Sequence, residues 1–417
     1  MKILFITQNF PPDMGGAAIR ASGIVHHLAS FGHQVVVLCA NPVYPRGKIF
    51  DGYKNKWIQK EENKEYTIYR TWIWPAKPKS HAVKRIFSYI SFMISATIAA
   101  MRLPKQDIVI ATSPSLFAPL IGIAVKSRQH IPLYLDIADI WPESANATGF
   151  MKKGIAFKLA EQLESFVYNH CDYFVPAALG TQQYLINRGI PEYKMCLTRD
   201  AADLDIFTNI DPSSIIEKYN LKNKFVVGYS GLLGFAQYPQ IIVEAANVLK
   251  NNENIIFLVV GEGGLRKETE DLAQKYKLNN IIFVGEKPRA EMPYYINAFS
   301  CCLIPYKNTP LFTRTVPSKL ADYLAAGKPI IINLEGLASS IIQEAKAGLV
   351  AKADDGADLA EKILYLYHHP EIAKQMGENG RKYAEQYYDR AKIVKNLETF
   401  LIKTSGESSS HNSKSHT

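Results

Sequence analysis

The chain has 417 residues, 47% apolar and 21% charged, which is enough for two or three domains and too charged for an integral membrane bundle. Five scattered cysteines (Cys39, Cys171, Cys196, Cys301 and Cys302) form no C-x-x-C pair, which excludes a disulfide framework and a zinc ribbon. The formal charge of +9 leaves nucleic acid, an anionic membrane and a phosphorylated substrate open as partners.

Residues 2–7 read as an apolar strand and leave no room for a signal peptide's apolar core. A loop with Pro11, Pro12, Gly15 and Gly16 follows, then a helical stretch over about 17–30 and a second strand at 34–39. Between 66 and 106 no residue is acidic, whereas Arg70, Lys77, Lys79, Lys84, Arg85, Arg102 and Lys105 are basic. Within this stretch, 86–101 is nearly apolar, but as a helix it covers about 24 Å against a hydrocarbon core of about 30 Å. Ser88, Ser91 and Ser95 recur on one side and Ile86, Ile90, Met93, Ile94 and Ile98 on the other, so the helix reads as amphipathic rather than spanning. With Trp72, Trp74 and Tyr89 nearby, the segment is expected to meet anionic lipid headgroups through Lys77, Lys79, Lys84, Arg85, Arg102 and Lys105. The competing reading is a buried helix with a solvated basic rim. No nucleic-acid module accompanies the patch, so nucleic acid is not expected as a partner.

Apolar runs at 108–111, 133–135 and 173–175 alternate with helical patterns. The cycle restarts with 225–229, 255–260 and 281–284, then 301–304, a helix over about 318–326, and 329–332. These spacings predict an α/β fold of two Rossmann-like, doubly wound domains, 1–205 and 206–388. A last helix at 389–404 has no strand after it and is expected to pack back on the first domain. The polar tail 405–417 is expected to be disordered. Open parallel sheets place ligands at the carboxyl ends of their strands, so two such domains facing each other would leave the active site in a cleft between them.

The loops at those ends narrow the chemistry. A dinucleotide fingerprint is missing, because the glycines of QNFPPDMGG come too late after the first strand and Gly261-Glu262-Gly263-Gly264 lacks the final spacing. The P-loop pattern is missing too. Asp203-Leu204-Asp205 lies in the expected linker and is read as a coincidental D-x-D. Gly15 and Gly16, and again Gly231 and Gly234, allow a close backbone approach to phosphate or sugar. Ser318 and Lys319 open a helix with Asp322 on the same face, suited to a diphosphate. Asp136 and Asp139 end a strand, Glu143 follows, and Arg20 stands about one helical turn behind the first glycine pair.

In this order the motifs resemble retaining glycosyltransferases of the GT-B, family-4 type. Among these, the likeness is to bacterial enzymes, such as the fucosamine-transferase-like group, that extend lipid-linked O-antigen or capsule oligosaccharides of the surface polysaccharide. The pieces are PPDMGGAAIR (11–20), NPVYPRGK with DGY (41–53), TSPSLF (112–117), LDIADIWPES (135–144), GYSGLLG (228–234), VVGEGG (259–264) and VPSKLADYLAAGKPII (316–331). The resemblance implies a nucleoside diphosphate sugar donor, UDP-linked, and a lipid-diphosphate-linked saccharide acceptor at the inner face of the cell membrane, with the protein cytoplasmic and peripheral. It implies no metal or other cofactor. Gly15, Gly16, Gly231, Gly234, Glu262, Arg314, Ser318, Lys319 and Asp322 would bind the nucleotide sugar, Asp136 and Asp139 would be catalytic, and Arg20 and Glu143 would touch acceptor or phosphate.

Departures from that pattern are specific. Arg314 stands eight residues before Asp322, where the first glutamate of E-x7-E is usual, and Asp322 itself replaces a glutamate. Ala138 replaces an arginine, and Asp200-Ala201 replaces Asn-Gly. The loop GLLGFAQYP has no basic residue, so Arg314 and Lys319 are expected to neutralise the diphosphate. A UDP-N-acetylglucosamine 2-epimerase shares the architecture, and a catalytically silent scaffold paralogue is the reading outside enzymology.

Overall fold

The computed structural model describes residues 1–76, 82–113, 115–147, 151, 153–309 and 312–413, the side chains at 82, 147, 314 and 407–413 excepted. The chain divides into two units, Met1–Asp200 with Arg390–Thr417, and Ala201–Asp389.

In the first unit, near-continuous apolar runs form strands buried on both faces, as parallel sheets require. The strands are β1 (Lys2–Ile6), β2 (Gln34–Ala40), β3 (Ile58–Glu62), β4 (Thr67–Thr71), β5 (Ile108–Ser113), β6 (Leu133–Ile137) and β7 (Tyr173–Pro176), in the order β3-β4-β2-β1-β5-β6-β7. All neighbours are parallel except β3 and β4. The helices are α1 (Gly16–Ser30), α2 (Ala82–Ala100), α3 (Phe117–Gln129), α4 (Glu143–Ala147), α5 (Ile155–His170) and α6 (Leu179–Asn187). Right-handed crossovers send α1 to one face of the sheet and α2, α3 and α5 to the other. Accordingly Phe92, Ala96, Ile121, Val125 and Val167 pack on Leu4, Leu38 and Leu135, while Ile24, Val25 and Leu28 of α1 pack on Ile3, Val37 and Ile110.

Helix α2 turns its serine side inward, opposite to an ordinary surface helix. Ser88, Ser91 and Ser95 are buried, and Ile86 and Ile94 are exposed. The hydroxyls explain the inversion: Ser95 Oγ donates to Trp72 O at 2.6 Å, and Trp74 N donates to Ser91 Oγ at 2.8 Å. They satisfy the backbone of the strand-to-helix connection where an isoleucine would leave it unpaired. Among the described residues, one helix stretch, Val83–Ala100, is long and apolar enough to cross a membrane by length and composition. Phe92, Ala96 and Ala100 within it are fully buried against the protein.

The second unit holds β8 (Phe225–Ser230), β9 (Ile255–Val260), β10 (Ile281–Gly285), β11 (Cys301–Ile304), β12 (Ile330–Ile332) and β13 (Gly348–Val350) in one parallel sheet, ordered β10-β9-β8-β11-β12-β13. Its helices are α7 (Ser213–Lys218), α8 (Gln240–Val248), α9 (Arg266–Lys275), α10 (Met292–Ala298), α11 (Lys319–Ala325), α12 (Leu337–Glu344), α13 (Gly356–His368) and α14 (Pro370–Tyr387). Ile241, Ala245, Leu359 and Ile363 cover one face of the sheet, and Tyr295, Leu320, Leu324 and Ile342 cover the other.

The chain leaves the first unit at Asp200, before the expected boundary at 205. Ala202 N donates to Tyr388 O at 3.0 Å, and Leu204 and Phe207 are buried in the second unit's core, so 201–205 belong with that unit. The last helix, α15 (Arg390–Ser413), rejoins the first unit, where Val394, Leu397 and Leu401 are buried beside α1. Each such burial stabilises by about 1.5–3 kcal/mol. The helix outruns the expected end at 404, and the described part of the tail, 405–413, is helical rather than disordered. Thr404 is still anchored, its hydroxyl 2.6 Å from the Tyr134 hydroxyl, and a helix already nucleated propagates through polar sequence at little cost. Residues 414–417 lie outside the described residues.

Candidate active site

At the carboxyl end of β1, Asp13 shapes the first glycine loop. Its Oδ1 accepts from Val43 N and Tyr44 N, both at 2.7 Å, and Met14 N donates to Tyr44 O at 3.1 Å. Asp13 Oδ2 is buried with no hydrogen-bond partner among the described residues, and burial raises the carboxyl to about 6 against the pull of those two amides. Gly15 has φ 131°, and a Cβ there would sit 3.1 Å from the Tyr44 ring, so both backbone and space call for glycine. Gly16 then opens α1, whose first turn has no side-chain cap and no acidic residue.

Behind this loop Arg20 is committed. It is 4% exposed, and its Nη2 lies 2.6 Å from Asp136 Oδ1, with Nε 3.1 and 3.2 Å from the two carboxylate oxygens. Its Nη1 donates to Thr198 O at 2.7 Å and to Asp200 Oδ1 at 3.2 Å. Burial works against the charge, but Asp136 and then Asp200 hold the guanidinium pKa above its usual value. This corrects two expectations. The Arg20 guanidinium is turned inward and engaged within its own unit rather than held out for acceptor or phosphate, and Asp136 is its buried counter-ion rather than a free carboxylate.

Asp139 differs. It is exposed just past β6, although crowded enough that desolvation, then the negative charge of Asp200, raise its carboxyl pKa. Glu143 is exposed at the start of α4, where the Tyr184 hydroxyl donates to it at 3.4 Å. The same hydroxyl lies 3.2 Å from both oxygens of buried Glu164, whose pKa burial raises to about 7.

In the second unit the two glycine loops are laced together. Gly231 N donates to Val260 O and Leu233 N to Glu262 O, both at 2.9 Å, and a Cβ on Gly261 would fall 1.8 Å from Gly231 O. The Gly231 amide is therefore engaged and does not contribute to an open cradle. Gly234 makes a turn, its carbonyl accepting from Gln237 N at 3.2 Å. Glu262 pairs with Arg266 at 2.5 Å, an arginine that sequence reasoning passed over.

Lys319 is the outstanding feature. Its Nζ lies 3.8 Å from the centroid of the buried Tyr229 ring and 2.9 Å from where a Gly231 Cβ would stand. Among the described residues that buried nitrogen has no hydrogen-bond partner, and desolvation lowers its pKa to about 7. Ser318 is exposed beside it, and its hydroxyl makes no cap. Asp322, one turn on, is held by Arg289 through two bonds of 2.5 and 2.6 Å. Arg289 was not singled out from sequence, since nothing in EKPRAE marks it as a partner of a residue 33 positions away. Arg314 closes the turn Phe312–Arg314, and its side chain lies outside the described ones.

Of the expected membrane cations, Lys77 and Lys79 lie outside the described residues. Lys84, Arg102 and Lys105 are exposed, and Arg85 donates to the Tyr89 hydroxyl at 3.0 Å.

The family model for glycosyl transferase 4-like domains matches residues 15–199, and that for glycosyl transferases group 1 matches 212–383. The chain belongs to the family-4 glycosyltransferases. WcaI of Escherichia coli K12, named as a glycosyl transferase of colanic acid biosynthesis, is 26% identical over 418 residues, covering 95% of this chain and 98% of its own. Sucrose-phosphate synthase from Thermosynechococcus elongatus superposes with TM-score 0.71 at 15% identity, over 97% of this chain and 98% of its own. HepE of Anabaena, solved with UDP-glucose, superposes with TM-score 0.68 at 15% identity, over 97% and 100%. At that identity the solved structures establish the GT-B fold, and the family models establish a transferase.

Proposed function

We propose that this glycosyltransferase moves a sugar from a UDP-linked donor onto a lipid-diphosphate-linked saccharide during bacterial surface polysaccharide biosynthesis, with retention of anomeric configuration. The observation that carries the reading is Lys319: its buried amine has no acceptor among the described residues, and an anion brought from outside stabilises its charged form. The donor's diphosphate is such an anion. The UDP-glucose complex of HepE and the colanic acid name of WcaI support the donor and pathway classes.

In this reading the second unit binds donor and the first binds acceptor. The bond from the sugar's C1 to the diphosphate oxygen breaks while the acceptor oxygen bonds to C1 from the same face. The acceptor's hydroxyl proton passes to the departing diphosphate. Lys319 offsets the charge that develops there, and Asp322, oriented by Arg289, accepts hydrogen bonds from ribose hydroxyls. Asp139 orients a sugar hydroxyl, the role sequence reasoning shared between it and Asp136. No cofactor is assigned. Because the acceptor is anchored in lipid, the protein works as a peripheral protein at the cytoplasmic face of the membrane.

Purified protein given a panel of UDP-sugars and lipid-diphosphate saccharides tests the proposal. Lipid-borne product with retained configuration is expected from at least one pair. Epimerised donor without acceptor, or silence across the panel, would remove it.

A further inference from the structure

The second unit's sheet is wound outward from its middle in two directions. From β8 the chain steps to β9 and β10 on one side, then returns to β11 and continues to β12 and β13 on the other. The loops after β8 and β11 therefore flank a topological switch point, where an open parallel sheet leaves a crevice outside the carboxyl ends of its strands.

Lys307 stands half-buried in the second of these loops. The residue before it is fixed from both sides: Tyr306 N donates to Asn333 Oδ1 at 2.7 Å, and Asn333 Nδ2 donates to Tyr306 O at 3.1 Å. Lys307 N then crosses the switch point and donates to Ala236 O, in the loop after β8, at 3.0 Å. Its Nζ lies 4.1 Å from the ring centroid of Phe235, which is 63% exposed. Among the described residues no carboxylate pairs with that ammonium. An ammonium resting on a ring face keeps its charge, and phosphate oxygens are stronger acceptors than the ring it would leave.

Lys319 meets the same loop from the buried side, its Nζ 2.9 Å from where a Gly231 Cβ would stand. Gly231 and Phe235 are four residues apart, so the two points of contact lie within about 14 Å of each other even along extended chain. The nearby arginines are engaged elsewhere: Arg266, after β9, by Glu262 and Glu270, and Arg289, after β10, by Asp322. The loop GLLGFAQYP after β8 has no basic residue of its own.

We infer that Lys307 is a second cation of the donor site, gripping the diphosphate from the open side of the crevice while Lys319 meets it from the buried side. Phe235 is the positioning residue that holds Lys307 ready. The inference rests on the nucleotide-sugar donor proposed above and adds a residue from a different loop. The diphosphate of such a donor carries two negative charges, and Lys319 answers one of them. The second cation is delivered across the switch point from β11, because the β8 loop supplies none.

Calorimetry on the full chain with UDP, GDP and dTDP, and with their monophosphates, tests this. Lys307→Ala should weaken the preferred diphosphate tenfold or more and leave the matching monophosphate within twofold, because the second phosphate is what Lys307 grips. Lys307→Arg should restore most of the affinity. Phe235→Ala, which keeps the ammonium but releases it, should weaken the diphosphate a few-fold. All three variants should melt at the parent's temperature, since none of the replaced side chains is in the core. Equal loss of mono- and diphosphate, unchanged diphosphate affinity, or a loss that Lys307→Arg does not repair would overturn the inference. So would a loss seen with UDP-glucuronic acid and not with UDP-glucose, which would move Lys307 to a carboxylate on the sugar. If Lys319→Met abolishes UDP binding while Lys307→Ala does not, the donor reading stands without this inference. A preference for GDP with the same dependence on Lys307 would remove the uridine reading and leave Lys307 in place. No binding of any of the three diphosphates by the parent would remove both.

Discussion

Each unit places a buried cation behind its first glycine loop, and the two are treated in opposite ways. Arg20 is surrounded by acceptors: Asp136, Asp200 and the carbonyl of Thr198. Lys319 is equally removed from water at its nitrogen, yet among the described residues that nitrogen has no hydrogen-bond partner and lies over the face of Tyr229. A buried charge with its counter-ion is a structural element, and a buried charge without one marks a place for a ligand. On the function proposed above, the first loop's arginine holds its unit together and the second loop's lysine is the one kept for the donor.

The largest effect tests the paired side. Arg20→Met leaves Asp136 buried without a counter-ion and should destabilise the first unit by about 3–5 kcal/mol in chemical denaturation. Adding Asp136→Leu should recover most of that loss, because the apolar pair no longer buries an unanswered charge. If the double variant stays as unstable as the single one, the ion pair is not what holds this region. Recovered stability with unchanged transfer would confirm that Asp136 has no chemical step to perform.

The unpaired side should behave in reverse. Lys319→Met should weaken UDP-sugar binding tenfold or more by calorimetry, while stability holds or rises. The sign with pH follows from the lysine's drop from 10.5 to about 7 on folding. Between those values the unfolded chain binds the additional proton, so parent stability climbs as pH rises through that window, and the cost of burial is fully present below pH 7. Lys319→Met should therefore gain most over the parent near pH 6 and lose the advantage toward pH 10. Binding runs the other way: parent affinity should fall as pH rises above about 7, because the lysine must take up a proton to meet the diphosphate. A flat profile in the parent would separate Lys319 from the anion.

Much of this was legible in the sequence, and the rest was lost for definable reasons. Strands such as β1, β2, β8 and β9 announce themselves because burial on both faces demands unbroken apolar runs. Strand β3, IQKEE, does not, since an antiparallel edge strand keeps charges outward. The serine stripe of α2 was visible, but not its direction, which depends on backbone groups at Trp72 and Trp74 that the hydroxyls satisfy. At the site, glycine pairs and Lys319 could be read from local pattern. The pairings Arg20–Asp136 and Arg289–Asp322 could not, because they join residues 116 and 33 apart that only the topology brings together.

The smallest effect concerns a pair lying between the two extremes. Arg289 and Asp322 are joined as firmly as Arg20 and Asp136, but with side-chain exposures of 33% and 14% they remain open to water. Solvent screening and the freedom of the exposed arginine should hold the stability loss from Arg289→Ala to about 1 kcal/mol or less. If Asp322 serves ribose, the arginine's task is to aim it, so Arg289→Ala should raise the KM for the UDP-sugar a few-fold with little change in kcat. Arg289→Lys should rescue this poorly, because a single ammonium cannot grip both carboxylate oxygens. A stability loss as large as that of Arg20→Met, with KM untouched, would move this pair to the structural side, leaving Lys319 as the cation on which donor binding turns.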